Sequence, residues 1–357
     1  MTPAPTAVQT EAPGRVNLIG EHTDYNGGFV LPTAIPQRTR VRLTPRSDAF
    51  VRAHSANLNL DGHYALGDEQ PGAGWLDYLQ GVTWALRDAG YTLRGFQAEI
   101  DSDVPLGSGL SSSAALEVSL LRALREAFAL DLDDLHLARL GQRAENEFVG
   151  ARVGIMDQLA ASFADSRTAL FIDTRNLSFE RVPLLPTADL VVLHSGVAHV
   201  LRAGDGGYNA RRADCEQAAA LLGVAQLRDL SLEDLPRLAR LPERLARRAR
   251  HVITEDARVL EAVAALRAGD PVRLGELFGA SHVSMRDDYE VSTTDIDLLV
   301  EVASADPDVY GARLTGGGFG GAVVVLTRGG HGPAVGQRLA EAYARQSGRS
   351  PTLLVPA

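Results

Sequence analysis

The chain has 357 residues, more than one compact core usually holds, and 45% of them are hydrophobic, which predicts a globular protein of two domains. A formal net charge of −10 disfavours nucleic acid and anionic membranes as partners. The sequence contains no lysine, so all 35 basic residues are arginine, and a Walker-A loop, which ends in Gly-Lys-Ser/Thr, is excluded.

Cys215 is the single cysteine, which excludes an intrachain disulfide and a cysteine-based zinc cluster. The first twelve residues lack the basic and apolar stretches of a secretory signal. No apolar run approaches the roughly 20 residues that span a bilayer. We therefore expect a cytoplasmic protein without a membrane anchor.

In the first half of the chain, the periodicity predicts strands and helices that are segregated rather than strictly alternating. Strands are predicted at 38–44, 96–100, 168–173 and 179–184. Helices are predicted at 75–89, ending before Gly90, and at 133–148. A further helix starts at Ser111 to Ser113 and has apolar residues at every fourth position: Leu116, Leu120, Leu124 and Phe128.

Pro183 and Pro186 mark the predicted boundary between an N-terminal domain, 1–185, and a C-terminal domain, 186–357. In the C-terminal half, strands are predicted at 190–194, 310–314, 322–326 and 352–355. Helices are predicted at 209–222, 232–240, 254–268, 271–287, 294–304 and 332–346. This mixture of elements indicates the α+β class.

The glycine- and serine-rich run 105–115 has the composition of a phosphate-binding turn. Gly107 and Gly109 let the backbone approach a phosphate, and the helix that starts near Ser111 offers free N–H groups and a partial positive charge. A hydroxyl of Ser112 or Ser113 is a candidate Mg²⁺ ligand. The alternative is a flexible loop with an N-capping serine. A Rossmann fingerprint is disfavoured because its third glycine is missing.

The segment 14–28 concentrates hydrogen-bonding side chains between turn-forming glycines. They include Arg15, Asn17, Glu21, His22, Asp24 and Asn26. Carboxylates and amides bind sugar hydroxyls in fixed directions, so this composition suits a polyhydroxylated ligand. The alternative is a polar surface loop, which composition alone favours.

Three further segments are ambiguous on composition. The stretch 315–322 has five glycines in six positions, which indicates close approach of a ligand or of another backbone, or a bulged hairpin. Asp157, in the stretch 154–158, and Glu145 are candidate functional carboxylates or ordinary caps. Arg211 and Arg212 lie near a helix start, where cations oppose the helix dipole, so they indicate nearby anions or a solvated face.

Taken together, these segments resemble the motifs of the galactokinases, within the GHMP kinase family. The resemblance rests on the segments 14–28, 105–115, 154–158, 208–212 and 315–322, and it runs from about residue 12 to 326 in the expected order. It implies the two-domain GHMP kinase fold, with an N-terminal domain like ribosomal protein S5 domain 2 and a ferredoxin-like C-terminal domain. It also implies an active site in the cleft between them, and transfer of a phosphoryl group from Mg·ATP to the anomeric hydroxyl of α-D-galactose.

The resemblance also implies roles for individual residues. Asp157 and Arg15 would act at the reacting hydroxyl, and whether Asp157 abstracts the proton or orients the hydroxyl stays open. Sugar contacts are implied for Glu21, His22, Asp24, Gly154 and Tyr208. Nucleotide contacts are implied for Trp75, Tyr78, Gly107, Ser108, Gly109, Leu110, Ser111, Ser112 and Ser113. Mg²⁺ ligands are implied at Ser113, with Ser112 as the alternative, and at Glu145.

Two alternatives to a galactose kinase remain at this point. An N-acetylgalactosamine kinase differs only in the pocket volume near C2 of the sugar, which the sequence does not reveal. A sensor that binds sugar and ATP without turnover is disfavoured by the intact Asp157 and Arg15. We expect a monomer.

Overall fold

The computed structural model describes residues 6–197 and 207–355. Its strands are β1 (Val8–Asn17), β2 (Phe29–Val30), β3 (Pro32–Pro45), β4 (Phe50–Ser55), β5 (Leu60–Ala65), β6 (Phe96–Ser102), β7 (Thr168–Asp173), β8 (Ser178–Pro183), β9 (Ala188–His194), β10 (Val309–Thr315), β11 (Ala322–Arg328) and β12 (Thr352–Val355). Its α-helices are α1 (Leu76–Asp88), α2 (Ser112–Phe128), α3 (Asp134–Arg143), α4 (Met156–Phe163), α5 (Tyr208–Leu222), α6 (Glu243–Ala268), α7 (Pro271–Ser284), α8 (Thr294–Ser304) and α9 (Gly332–Ser347). The predicted α+β class is confirmed.

The described residues form two compact units, each built from separate stretches of chain. The first unit comprises the described parts of Met1–Gly14, Pro36–Pro105 and Ser111–Phe163. The second comprises Arg15–Ile35, Leu106–Leu110 and the described part of Ala164–Ala357. These units follow packing rather than chain order, and the sequence-based domain boundary at 185/186 stays a prediction.

The first unit is built on a five-stranded sheet of order β1-β3-β6-β4-β5. β6 lies antiparallel to β3 and parallel to β4, and β4 and β5 form a hairpin. Alternate residues of the strands, such as Val41 and Ala98, pack with apolar residues of α1, α2 and α3, such as Leu79, Leu121 and Leu137. Helices therefore cover one face of this sheet, and burying that face stabilises the unit.

The second unit contains two smaller sheets. The four-stranded sheet has the order β10-β11-β9-β12, and its pairs are antiparallel. Its core joins Val191 and Val323 of the strands to Leu245 of α6 and Leu339 of α9. The three-stranded sheet has the order β2-β7-β8, and both of its pairs are antiparallel.

Several predicted elements need correction. The hairpin β4–β5 and helix α4 had no predicted counterpart, and α6 begins at Glu243 rather than 254. The predicted helix 232–240 is a 3-10 helix, Leu232–Arg240, with Pro236 inside it. A proline lacks the N–H that an α-helix interior needs, which explains this difference.

Two predicted helices end in π-helical segments. The helix predicted at 133–148 is α3 followed by the π-helical segment Ala144–Val149, and the helix predicted at 271–287 is α7 followed by the π-helical segment Met285–Tyr289. Such segments are frequent at functional sites because they turn side chains away from the regular helical positions. Within the two described ranges, no helix has the length and apolar character to cross a membrane.

Candidate active site

Arg15 lies beside the glycine- and serine-rich run within the second unit. Its backbone N–H donates to the carbonyl of Leu110 at 3.1 Å, and its Nη1 donates to the carbonyl of Gly109 at 2.7 Å. The residue is 4% exposed. The structure thus brings the predicted catalytic arginine together with the predicted phosphate-binding run through two hydrogen bonds.

The glycines of the run 315–322 support the same region by close backbone approach. Gly316 has a φ of +84°, and a Cβ on it would lie 2.5 Å from the carbonyl oxygen of Gly109. The hydroxyl of Thr315 donates to the carbonyl of Asn17 at 3.0 Å. Of the explanations considered for these glycines, close approach of another backbone therefore applies to Gly316.

Glu21 is held in a buried ion pair with Arg313. Nη2 of Arg313 donates to Oε2 of Glu21, and the N–H of Gly316 donates to Oε1 at 3.0 Å. Both side chains are almost completely buried. Burial raises the pKa of Glu21, and the charge and hydrogen bond of Arg313 only partly oppose this rise. The predicted contact of Glu21 with a sugar stays a prediction.

A second buried carboxylate, Glu255, completes this ionic cluster. It accepts hydrogen bonds from the N–H of Gly20 at 3.0 Å and from the hydroxyl of Ser281 at 2.6 Å. Nε of Arg258 lies 2.7 Å from its other oxygen. Burial opposes ionisation, but the charges of Arg258, His251 and Arg313 outweigh it and lower the pKa of Glu255 to about 2. The cluster fixes the backbone at residues 17–21.

His22 lies in a group of aromatic side chains of the second unit. Its ring centroid is 5.3 Å from that of Tyr208 and 4.6 Å from that of Tyr289, and its Nδ1 lies 2.8 Å from the hydroxyl of Tyr25. The backbone of His22 has a φ of +65°, and its carbonyl accepts from the amide of Asn26 at 2.8 Å. Two predicted sugar contacts, His22 and Tyr208, are therefore neighbours.

Asp24 opens the 3-10 turn Asp24–Asn26 that follows His22. Its carboxylate accepts from the N–H of Tyr25 at 2.9 Å, and its carbonyl accepts from the hydroxyl of Thr174 at 3.0 Å. The side chain is half-buried. This turn fixes the orientation of the Asp24 side chain relative to the backbone.

His251 supports the same segment from α6. Its Nε2 lies 3.1 Å from the carbonyl oxygen of Glu21, and its Nδ1 lies 2.9 Å from the hydroxyl of Ser284. A carbonyl only accepts, so Nε2 carries the proton. Burial is the main cause that lowers the pKa of His251, to about 4, so the ring is neutral at pH 7.

The N-terminus of α2 has the features expected for phosphate binding. Gly107, Gly109 and Ser111 have φ values of +65°, +75° and +62°. Ser111 precedes the helix but its side chain makes no capping hydrogen bond. Its hydroxyl is buried without a hydrogen-bond partner among the described residues. The N-capping serine of the alternative interpretation is therefore absent at position 111.

In the first unit, two glutamates share the side-chain amide of Gln158. Nε2 of Gln158 lies 3.0 Å from Oε2 of Glu117 and 3.0 Å from Oε2 of Glu145. Glu145 lies on the π-helical segment, and all three side chains are buried. Burial, and next the charge of Glu145, raise the pKa of Glu117 well above its usual value.

The remaining predicted residues of the first unit lie near its helix termini. Asp157 is half-buried in the first turn of α4, one residue before Gln158, and Gly154 is buried just ahead of that helix. Trp75 precedes α1 and packs partly against the core, and Tyr78 is half-buried on α1. Ser112 and Ser113 are half-buried in the first turn of α2.

Arg211 lies near the start of its own helix, where a cation is unfavourable, and its side chain binds the C-terminal end of the π-helical segment Met285–Tyr289. Its Nε donates to the carbonyl of Tyr289 at 2.7 Å and its Nη2 to the carbonyl of Glu290 at 2.8 Å. These carbonyls belong to the C-terminal end of the π-helical segment, where a cation is favourable. Arg212 pairs with Glu216 at 3.1 Å, as the solvated-face interpretation expects.

Sequence reasoning missed several residues that organise these sites: Glu117, Gln158, Arg313, Glu255, His251, Tyr25 and Tyr289. A signal existed for Glu117, since it occupies a position on α2 in line with the buried Leu121 and Leu124, where a carboxylate is unexpected. For Arg313, no local signal existed, because its partner Glu21 is 292 positions away.

Comparison with known proteins gives matches along most of the chain. Residues 77–165 match the model of the GHMP kinases N terminal domain, residues 262–345 match the GHMP kinases C terminal model, and residues 3–45 match the galactokinase galactose-binding signature. A mevalonate kinase of Methanococcus jannaschii has the same fold at 18% identity, with a TM-score of 0.68 over 99% of this chain and 98% of that chain. These matches define the class as GHMP kinases and confirm the predicted fold.

Within that class, several galactokinases are similar to this chain over most of its length. A galactokinase of Roseiflexus sp. is 46% identical over 98% of this chain and 90% of its own length, and one of Streptomyces coelicolor is 46% identical over 95% and 89%. The crystal structure of Lactococcus lactis galactokinase complexed with galactose is 35% identical, with a TM-score of 0.92 over 97% of this chain and 92% of that chain. The chain belongs to the galactokinase family, and the prediction of an ATP-dependent galactose kinase is confirmed.

Proposed function

We propose that this enzyme transfers the γ-phosphoryl group of ATP to the C1 hydroxyl of α-D-galactose, giving galactose 1-phosphate and ADP. The observation that carries the proposal is the match of residues 3–45 to the galactokinase galactose-binding signature. The polar segment of that match is held rigid by buried partners such as Arg313 and His251. A preorganised polar segment suits the recognition of directed sugar hydroxyls.

For the chemical step, we assign Asp157 to the reacting hydroxyl. Its carboxylate orients the C1 hydroxyl and accepts the proton as the new C1–O–P bond forms and the bond from the γ-phosphorus to ADP breaks. Arg15 stabilises charge on the transferring group, for which a guanidinium is suited by its planar fork of donors. Its hydrogen bond to Gly109 supports this role because it ties Arg15 to the phosphate-binding run.

For the nucleotide, we assign the run Gly107–Ser113 to the phosphates of ATP, with Ser108 and Leu110 contributing backbone groups. The α2 N-terminus offers N–H groups that Ser111 does not cap, and these suit an anion. Trp75 and Tyr78 are assigned to the adenine.

For the sugar, we assign Glu21, His22, Asp24, Gly154 and Tyr208. A site with fixed hydrogen-bonding groups penalises the C4 epimer that leaves them unpaired, so glucose should be a poor substrate. The proximity of His22 and Tyr208 in the second unit supports this assignment.

Mg²⁺ suits the oxygen donors of the first unit. In the part of the chain that the structure describes, no group of three or more His, Cys, Asp or Glu side chains could hold a metal, so few protein ligands are available. Mg²⁺ is commonly held by one or two protein oxygens together with substrate phosphates. Oε1 of the buried Glu117, which shares Gln158 with Glu145, has no hydrogen-bond partner among the described residues. Glu145 and Ser113, with Ser112 as the alternative, would hold the ion, which supplies charge neutralisation when bound.

The test is ADP release over a panel of sugars, with and without Mg²⁺. We expect turnover with galactose, little with glucose, and loss of turnover without the metal. Turnover of N-acetylgalactosamine with a higher kcat/KM, or sugar binding without ADP release, would replace the proposal by one of the alternatives.

The roles of individual residues are tested by matched aspartate variants. Asp157→Asn should lower kcat by about 10²–10⁴-fold if Asp157 accepts the proton. Asp101→Asn, an exposed aspartate on β6, serves as the control and should keep the wild-type kcat. Normal turnover by a folded Asp157→Asn enzyme would remove Asp157 from the chemical step.

We propose a cytoplasmic location with this function, since ATP is supplied there. We also propose a monomeric state. Light scattering coupled to size-exclusion chromatography tests the monomer, and cell fractionation tests the location.

A further inference from the structure

A series of buried and partly buried hydrogen bonds connects His22 to Cys215 through two tyrosines. Nδ1 of His22 lies 2.8 Å from the hydroxyl of Tyr25, which lies 2.7 Å from the hydroxyl of Tyr289, which lies 3.1 Å from Sγ of Cys215. We call these four residues the tyrosine relay. All belong to the second unit.

The members of the relay that could lose a proton to solvent keep it at neutral pH. Burial raises the pKa of Tyr25 and of Tyr289 well above 10. Burial also raises the pKa of the Cys215 thiol to about 11. Each hydroxyl and the thiol therefore has one hydrogen to place, and the relay has two possible directions of donation.

The acceptors decide between these directions. If donation runs from Cys215 toward His22, the thiol donates to Tyr289, Tyr289 donates to Tyr25, and Tyr25 donates to Nδ1 of His22. This ring nitrogen is the strongest acceptor of the relay. If it runs the other way, Tyr289 donates to sulfur, which is a weak acceptor, and the thiol hydrogen has no acceptor within the relay. In the first direction the hydrogens of both hydroxyls and of the thiol all have acceptors, and sulfur does not have to act as an acceptor within the relay.

We propose that the tyrosine relay holds His22 as the neutral imidazole with its proton on Nε2, so that this ring presents a hydrogen-bond donor to the sugar. The part that concerns the sugar rests on the proposed function. The acceptor would then be an oxygen of galactose, and Tyr25 and Tyr289 are positioning residues that act through His22.

The surroundings of His22 keep the ring in the orientation that the relay needs. The ring stacks at a tilt against Tyr289 on one side of the relay and lies 5.3 Å from Tyr208. The residue is only 4% exposed. Rotation of the imidazole would exchange Nδ1 for a carbon at the hydroxyl of Tyr25 and leave that hydroxyl without its acceptor, which disfavours the rotated ring.

The first experiment measures the tautomer in the sugar-free, full-length enzyme. Long-range ¹H–¹⁵N NMR of histidine-labelled protein distinguishes an Nε2–H ring from an Nδ1–H ring, and His22→Gln identifies the His22 signal. We expect Nε2–H in the wild type and in Cys215→Ser, which keeps a donor at the end of the relay. Tyr25→Phe should shift the signal toward a mixture of tautomers.

His251 provides an internal control for these spectra. Its tautomer is set by Glu21 and Ser284, outside the relay, so its signal should stay that of an Nε2–H ring in every variant. An Nδ1–H ring or an imidazolium at His22 in the wild type would overturn the proposal. An unchanged His22 signal in a folded Tyr25→Phe enzyme would overturn it as well.

The second experiment tests the consequence for the sugar. Tyr25→Phe should raise the KM for galactose by about threefold to tenfold, as expected for a hydrogen bond that is partly lost, while the KM for ATP stays within twofold. An equal rise in both KM values indicates a general structural effect and contradicts the positioning role. The tautomer is measured without sugar, so the result that would overturn the relay does not depend on the proposed function. A failure of the proposed function would show instead as absent galactose turnover in the wild type.

Discussion

Replacing Arg313 by methionine should destabilise the second unit strongly. The guanidinium is fully buried, and it donates to Glu21 and to the carbonyls of Asn17 and Leu18 at 3.1 and 2.9 Å. Methionine keeps much of the volume but leaves the carboxylate of Glu21 buried without its cation. Breaking a buried ion pair from one side costs about 3–5 kcal/mol, and we expect a loss of this size in the free energy of unfolding.

Urea unfolding at pH 7, followed by circular dichroism, measures this loss. The matched control is Arg273→Met, because Arg273 pairs with Glu261 and Glu276 on an exposed surface and should cost no more than about 1 kcal/mol. The double variant Glu21→Gln with Arg313→Met should recover part of the loss, since it removes the unpaired charge. A loss for Arg313→Met no larger than that of the control would refute the view that this ion pair holds the segment 17–21.

Three further predictions follow from single contacts. Gly316→Ala should raise the KM for ATP at least several-fold and lower the melting temperature, because the new Cβ would lie 2.5 Å from the carbonyl of Gly109; unchanged ATP kinetics would contradict this. Burial is the main cause that raises the pKa of Asp256 to about 7, so the folded protein resists ionisation of this carboxyl and its stability falls as the pH rises from about 4 to 7. Asp256→Asn should remove up to about 4 kcal/mol of this fall in the free energy of unfolding, measured by urea unfolding at both pH values. An unchanged pH dependence of stability in this variant would contradict the assignment. Burial is the main cause that lowers the pKa of His251 to about 4, so as the pH falls the unfolded state binds a proton before the folded state does. Stability should therefore decrease as the pH falls from about 6.5 to 4. In His251→Gln the melting temperature should depend less on pH over that range, as measured by thermal unfolding.

Local periodicity was sufficient to predict the bounds of an element where its own residues carry a clear pattern. The strand predicted at 168–173 and the helix predicted at 294–304 have those bounds in the structure, because the first is a short run of apolar residues and apolar residues recur at helical spacing in the second. The second strand of the hairpin, β5, was missed because it is largely exposed and carries polar residues such as Asp61, whereas β4 does alternate between buried and outward-facing residues, such as Val51 and Arg52. The start of α6 at Glu243 was missed despite buried apolar residues at Leu245 and Ala249.

For the candidate site, the sequence could supply the chemistry of the residues that would meet the substrates, but not the partners that hold them. Arg15 and His22 stand in recognisable segments, whereas their support comes from remote stretches of chain. Tyr289, for example, is 264 positions from Tyr25, and nothing in its own neighbourhood distinguishes it from a core tyrosine.

The same contrast explains why the buried carboxylates were the least predictable part of the molecule. Glu21 and Glu255 are equally buried, yet burial raises the pKa of the first while neighbouring cations lower that of the second to about 2. The difference arises from the number of cations within reach, since Glu255 has Arg258 as well as Arg313 nearby. Because Coulomb interactions depend on distance in space rather than along the chain, a residue's charge state follows from the fold and not from its local motif.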